Sequence, residues 1–443
     1  MGIRLSDHFT YKKLLRFVLP SIAMMVFISV YGVVDGFFVS NFAGKTSFAA
    51  INLVMPFVML LGGIGFMVGT GGTALVSKVL GEGNREKANR YFSMMVFLTL
   101  LLGVLLTAVG IAAMEPVARF LGATDAMIAD SVLYGRIVVG FTTAFMLQNV
   151  FQSFLIAAEK PKLGLLATIA AGLTNILLDA LFVGGFGWGV AGAAIATGIS
   201  QCVGGLLPLF YFLRPNDSLL RLVRTKPELA PLVKACTNGS SELMSSISSS
   251  VVSMVYNFQL LKYIGEDGVS AYGVLMYVQF IFVAIYIGYS VGCAPVIGYH
   301  YGAGNRDELK NLLRKSALLI GSAGVLLTLL ARLLATPLAS IFVGYDETLH
   351  ALTEHAFRLF SFSFLLSGFN IFTSAFFTAL NNGFVSAAIS FLRTLLFQTC
   401  CVLVLPVLFD IDGIWWAITA AEVFAFAISL TFLLTKRKKY GYM

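Results

Sequence analysis

Six polar residues in the first half of the chain have the types and spacing to hold or exchange an ion. Asp35 and Asp179 are carboxylic acids set in strongly apolar surroundings. Asn175 precedes Asp179 by four residues, so the two share one face of a helix. Tyr134, Asn149 and Thr197 lie in neighbouring apolar runs. A rise of about 1.5 Å per residue places Asp35 roughly 22 Å beyond Pro20, and Asp179 at a similar depth on its own run. Thr197 falls roughly 10 Å below the outer end of its helix, Tyr134 near an outer end and Asn149 near mid-membrane. Each amide or hydroxyl taken singly reads equally well as a structural hydrogen bond. Two acids at one depth, with no base beside them, point further. Like charges repel and burial disfavours ionisation, so such a pair suits proton exchange or an oxygen cage for a hard cation. The residues alone do not choose between these. Pro20 removes a backbone donor from the helix that carries Asp35 and marks a hinge.

The surroundings of these residues define the class of protein. The 443 residues are 58% hydrophobic and 12% charged, with a mean hydropathy of +0.87. Soluble domains run near a quarter charged. Too little polar surface remains to solvate a globule, so the chain is a polytopic membrane protein. Apolar runs long enough to span, roughly 20 residues each, fall at about 14–40, 50–78, 92–113, 131–158, 163–186 and 190–213. A second set falls at about 232–262, 270–298, 313–334, 354–380, 384–408 and 414–435. The expectation is all-α, with twelve transmembrane helices. No cleavage site follows the first run, which reads as an uncleaved span. The formal charge of +8 comes from 30 lysines and arginines, most of them on segments that share a side with the amino terminus. That bias places both termini in the cytoplasm of a multi-pass inner (plasma) membrane protein and removes the case for nucleic acid. Five dispersed cysteines have no metal-ligand or disulfide spacing.

The polar stretch 214–231 divides the chain into an amino-terminal lobe (1–213) and a carboxy-terminal lobe (232–443). Shifting the second by 221 positions exposes a repeat. Gly81-Glu82-Gly83-Asn84-Arg85 meets Gly302-Ala303-Gly304-Asn305-Arg306, and Asn149, Phe151 and Ser153 meet Asn370, Phe372 and Ser374. Repeats with an even number of spans share an orientation, so their symmetry axis runs along the membrane normal. Two pseudo-symmetric six-helix bundles around a central cleft follow, an arrangement suited to alternating access.

With Leu19-Pro20 early in the first helix, Asp35 fifteen residues later, Asn175-x-x-x-Asp179 in the fifth and the paired glycine-rich motifs, the chain resembles the multidrug and toxic compound extrusion (MATE) family, nearest its DinF-like branch. The resemblance spans essentially the whole chain. It implies efflux of cationic amphiphilic small molecules, driven by inward movement of protons or sodium, with no cofactor. It also implies coupling roles for Asp35 and Asp179 and a bend at Pro20.

The second lobe departs from the first. The repeat positions of Asp35 and Asp179 are Tyr256 and Cys400. Glu242 and Arg393 lie at similar depths, so an ion pair or a substrate or gating pair is open to them, while Glu422 stands alone in the twelfth helix. His300, at a helix end, reads as solvated. The expected activity is a monomeric secondary-active exporter, not an enzyme, since the dispersed histidines form no catalytic motif. A flippase for lipid-linked or amphiphilic metabolites is the alternative, and a row of basic residues along the cleft would favour it.

Overall fold

The computed structural model describes residues 3–42 and 45–443. The first half runs through α1 (Tyr11–Phe42), α2 (Lys45–Gly81), α3 (Arg85–Phe120), α4 (Ile128–Gly140), α5 (Thr142–Ala157), α6 (Pro161–Asp179) and α7 (Gly189–Leu213). The second runs through α8 (Leu229–Tyr263), α9 (Glu266–Gly302), α10 (Arg306–Leu333), α11 (Ala335–Val343), α12 (Glu347–Phe360), α13 (Phe364–Ala379), α14 (Gly383–Phe391) and α15 (Gln398–Tyr440). A π-helical turn extends α6 over Ala180–Gly185, and another joins α14 to α15 over Leu392–Phe397.

This is an all-helical membrane fold. Lipid offers no hydrogen bonds, so each crossing segment must satisfy its own backbone, which a helix does. Large apolar side chains accordingly face outward, as Phe97, Leu101 and Val104 do along one side of α3. Among the described residues nine helices are long and apolar enough to cross, or ten if α4 and α5, bent by 54°, form one crossing. The other expected crossings have identifiable reasons for escaping that measure. Helix α8 is 35 residues long but rich in serine between Ser240 and Ser253. The 383–440 stretch is too long for one span, and its backbone leaves helical geometry at Phe409 and Asp410. The segment joining the halves ends earlier than the expected 231, because α8 begins at Leu229.

The halves meet through α1 and α2 on one side and α8 and α9 on the other. Glycines decide how closely. A Cβ on Gly71 would sit 1.9 Å from the Ala235 carbonyl, and one on Gly239 1.9 Å from that of Met67. At the face carrying both termini, a Cβ on Gly81 would meet the Tyr299 carbonyl at 1.9 Å, and one on Gly302 the Lys78 carbonyl at 1.9 Å. Gly81 and Gly302, like Lys78 and Tyr299, are repeat partners, so the contact is reciprocal about the pseudo-twofold axis. The repeated motif is explained residue by residue. Its first glycine allows backbone contact, and its second, Gly83 or Gly304, adopts positive φ (+81° and +68°). Its asparagine caps the next helix: Asn84 accepts from the Lys87 amide at 2.9 Å, Asn305 from the Glu308 amide at 3.1 Å.

Residues 3–10 form a strap over this closed face. The Leu5 amide donates to Glu159 of the first half at 2.7 Å, and the Phe9 amide to Glu308 of the second at 2.9 Å. His8 also meets Glu308, at 2.6 Å, and Leu5 and Phe9 are wholly buried. Burial pushes the Glu159 carboxyl above the usual carboxylate range, against the pull of the Leu5 amide. His300 is not solvated as expected: it is buried, with the Phe9 ring edge-on at 6.5 Å.

Gly81→Ala and Gly302→Ala would each force α2 and α9 apart, because the obstructing atoms are backbone and cannot swing aside. Overpacking of this kind costs about 1–3 kcal/mol. Spin labels at Glu82 and Ala303 should report longer and broader distances in either variant than in the parent.

Candidate functional site

The first-half carboxylates face one another. Gly172 of α6 lets α1 approach closely, since a Cβ there would lie 2.4 Å from the Phe27 ring and 2.9 Å from that of Tyr31. One turn beyond Tyr31, Asp35 comes within side-chain interaction reach of both Asp179 and Asn175. Tyr134 of α4 lies in the field of both acids and beside Thr197 of α7. Tyr31, which also reaches Gln148 of α5, completes the group. The spacing of Tyr31 from Asp35 (i, i−4) was a usable signal for its inclusion. Gln148 carried none, because nothing in the sequence tells which face of α5 looks inward.

Asp179 and Asn175 are almost fully buried. Both Asp179 oxygens, Asp35 Oδ1, both polar atoms of Asn175 and Thr197 Oγ1 have no hydrogen-bond partner among the described residues. Each such atom costs about 1–3 kcal/mol when left unmet. Orphans gathered at one point can be answered by a shared proton or by an oxygen-coordinated cation. Asn149 does not join them: its amide is committed to the Gly62 carbonyl at 3.0 Å, tying α5 to α2. Pro20 is buried in α1, which continues as one helix through it.

The second half differs from expectation in three places. Arg393 pairs with Glu422, not Glu242: its Nε and Nη2 reach the two carboxylate oxygens at 2.7–3.0 Å. Glu422 is therefore not alone, and it also accepts from Asn370 at 2.7 Å. The π turn that carries Arg393 shifts the helical register, which a constant-pitch count cannot anticipate. Tyr256, the counterpart of Asp35, stacks on Tyr272 at 5.0 Å and lies beside Cys401, while Cys400 is exposed. The spatial counterpart of Asp179 is thus Cys401, one residue later than the repeat offset gives. Glu242 and Arg393 share the wall of one cavity without meeting.

Glu422 is buried, and its partner Arg393 is 15% exposed. Arg393→Met should lower stability by about 3–5 kcal/mol through the orphaned carboxylate, and Arg393→Met/Glu422→Leu should recover most of it. Thermal unfolding of the three proteins in detergent checks this.

Comparison with known proteins matches the duplicated design. The MatE family profile fits residues 20–181 and again 243–402, once in each half. The multidrug export protein MepA of Staphylococcus saprophyticus is 25% identical over 437 residues, covering 96% of this chain and 94% of that one. MepA of Staphylococcus aureus strain MRSA252 is 23% identical over 414 residues, covering 93% and 91%. A solved outward-facing conformation of a multidrug resistance MATE family transporter of the MOP superfamily superposes with a TM-score of 0.92 over 98% of both chains, at 21% identity. With both halves matched by the profile and the whole fold shared, this chain belongs to the MatE family.

Proposed function

We propose that the protein is a secondary-active exporter of cationic amphiphilic compounds, driven by protons or sodium entering through the Asp35–Asp179 pair. The observation that carries this reading is the group of unpartnered polar atoms around the two facing carboxylates. Binding of a proton or a sodium ion neutralises charge between α1 and α6. The packing of α1 against α6 then changes, and Pro20, with no amide hydrogen to lose, is the point at which α1 bends. Export follows if the empty carrier reopens at the opposite face. Closure of the terminal face by the Gly81 and Gly302 contacts supports an outward-open starting state. The family's fold and the names of its relatives, multidrug export proteins, support the cargo class.

The charge distribution supports an inner-membrane location with cytoplasmic termini, and the chain is proposed to work as a monomer. A flippase for lipid-linked phosphates would need free cations along the cleft, and the charge of Arg393 is already matched by Glu422.

Asp35→Asn and Asp179→Asn should each reduce gradient-driven ethidium efflux from proteoliposomes at least about tenfold while leaving insertion intact, since each removes an ionisable group from the pair. Imposing proton and sodium gradients separately identifies the coupling ion. Full transport by the double variant discards the mechanism.

A further inference from the structure

Helices α1 and α6 carry acids at one end and unanswered cations at the other. Both leave the terminal face and run in the same direction, so Arg16 and Lys162 mark one end of the pair and Asp35 and Asp179 the other. The separations along the helices are roughly 28 Å on α1 and 26 Å on α6. At the cationic end the two helices leave a groove of about 390 Å³ between them. Phe17 and Pro20 of α1, both buried, face Leu163 and Leu166 of α6 across it. Leu166 is exposed, as is Leu19 beside Pro20, so the groove opens sideways onto an apolar surface that lipid covers.

Four charged side chains line the groove, and two of them are answered within the protein. Lys160 Nζ reaches Asp217 at 2.8 Å. Glu159 accepts from the Leu5 amide at 2.7 Å and feels the charge of Arg4. Arg16 and Lys162 have no hydrogen-bond or ion-pair partner among the described residues. Each has an apolar neighbour one turn deeper on its own helix face, Pro20 after Arg16 and Leu166 after Lys162. One turn is about 5.4 Å, so the groove grades from charge to hydrocarbon over the depth of a headgroup boundary. A long cationic side chain at a helix end often only reaches for water. Here two of them, on separate helices, border one cavity.

This order of groups narrows the ligand. A small soluble anion would meet the cations and leave the apolar walls uncovered. A neutral lipid would cover the walls and leave the cations unmatched. A phosphodiester joined to acyl chains satisfies both. The Arg16 guanidinium suits two phosphate oxygens at once, and the Lys162 ammonium adds a point charge. Basic pockets between membrane helices recur as seats for such headgroups.

We propose that this groove binds an anionic diacyl phospholipid, with the phosphate between Arg16 and Lys162 and an acyl chain against Phe17, Pro20 and Leu166. The bound lipid packs on α1 at Pro20, on the same two helices whose far ends hold the acids. The assignment does not need the exporter reading, and binding is measured without any gradient.

The test uses the purified full-length protein in phosphatidylcholine nanodiscs and two photoactivatable probes, phosphatidylglycerol and phosphatidylcholine, with a diazirine on the same acyl chain. At a subsaturating fraction, phosphatidylglycerol should label residues 16–20 and 162–166 at least about tenfold more than phosphatidylcholine, given about 1 kcal/mol, or fivefold, per cation. Arg16→Gln and Lys162→Gln should each lower that yield about fivefold, and the double variant about tenfold or more. The charge-keeping double variant Arg16→Lys/Lys162→Arg should stay within about threefold of the parent, as should Lys436→Gln/Lys438→Gln in the carboxy-terminal tail. A millimolar excess of glycerophosphoglycerol, the headgroup without its chains, should leave labelling unchanged. Equal labelling by the two probes, or full labelling of the Arg16→Gln/Lys162→Gln protein, overturns the proposal. Displacement by the free headgroup also overturns it, by making the groove a site for soluble anions. An equal loss in the tail variant does so too, by reducing the effect to general surface charge.

Discussion

The structure depends on two helices touching without side chains between them. Where α2 and α9 cross at the terminal face, each contributes a glycine to the other's carbonyl, and the repeat makes the contact reciprocal. Any Cβ at Gly81 or Gly302 would collide with backbone, so closure there is all or none. Deeper in the protein the Gly71–Gly239 contact does the same for α2 and α8. Together these contacts fix the relative position of the halves and hence which face each cavity meets.

Within that frame the halves use one helical scaffold for opposite electrostatics. In the first, two acids face each other, and Asp35 Oδ1 and both Asp179 oxygens lack partners among the described residues. In the second, the equivalent positions hold Tyr256 and Cys401, and the strongest charges, Arg393 and Glu422, cancel each other in a bidentate pair. Asn149 and Asn370 show how a shared position of the repeat diverges: both donate to a helix carbonyl, and the second also donates to the Glu422 carboxylate. A duplicated bundle can separate ion handling from other polar recognition because each half folds around its own network.

Much of this was legible in the sequence, and the failures share one cause. Depth along a helix follows from counting residues, and the structure places Asp35, Asp179, Asn175, Tyr134 and Thr197 within reach of one another. The glycine-rich motif was legible because each of its positions answers a local backbone demand. Direction around the helix is harder to read. Glu242 and Arg393 were placed at one height, yet the π turn at Leu392–Phe397 swings Arg393 to Glu422. The same accumulated offset moved the counterpart of Asp179 from Cys400 to Cys401. The serines of α8 hid a polar cavity wall because a serine bonded to its own helix passes as an apolar-tolerant residue. His300 reads as exposed at a helix end because no local pattern signals that the amino-terminal strap folds back over it.

That strap works as a leash of fixed length. Its anchors at Leu5 and Phe9 are four residues apart, so a fully extended chain between them reaches about 14 Å. The two halves can part at that face only within this span while Glu159 and Glu308 both keep their hold. A wider opening must unfasten one end first, so residues 3–10 set a mechanical stop on how far the carrier can yawn before a carboxylate lets go.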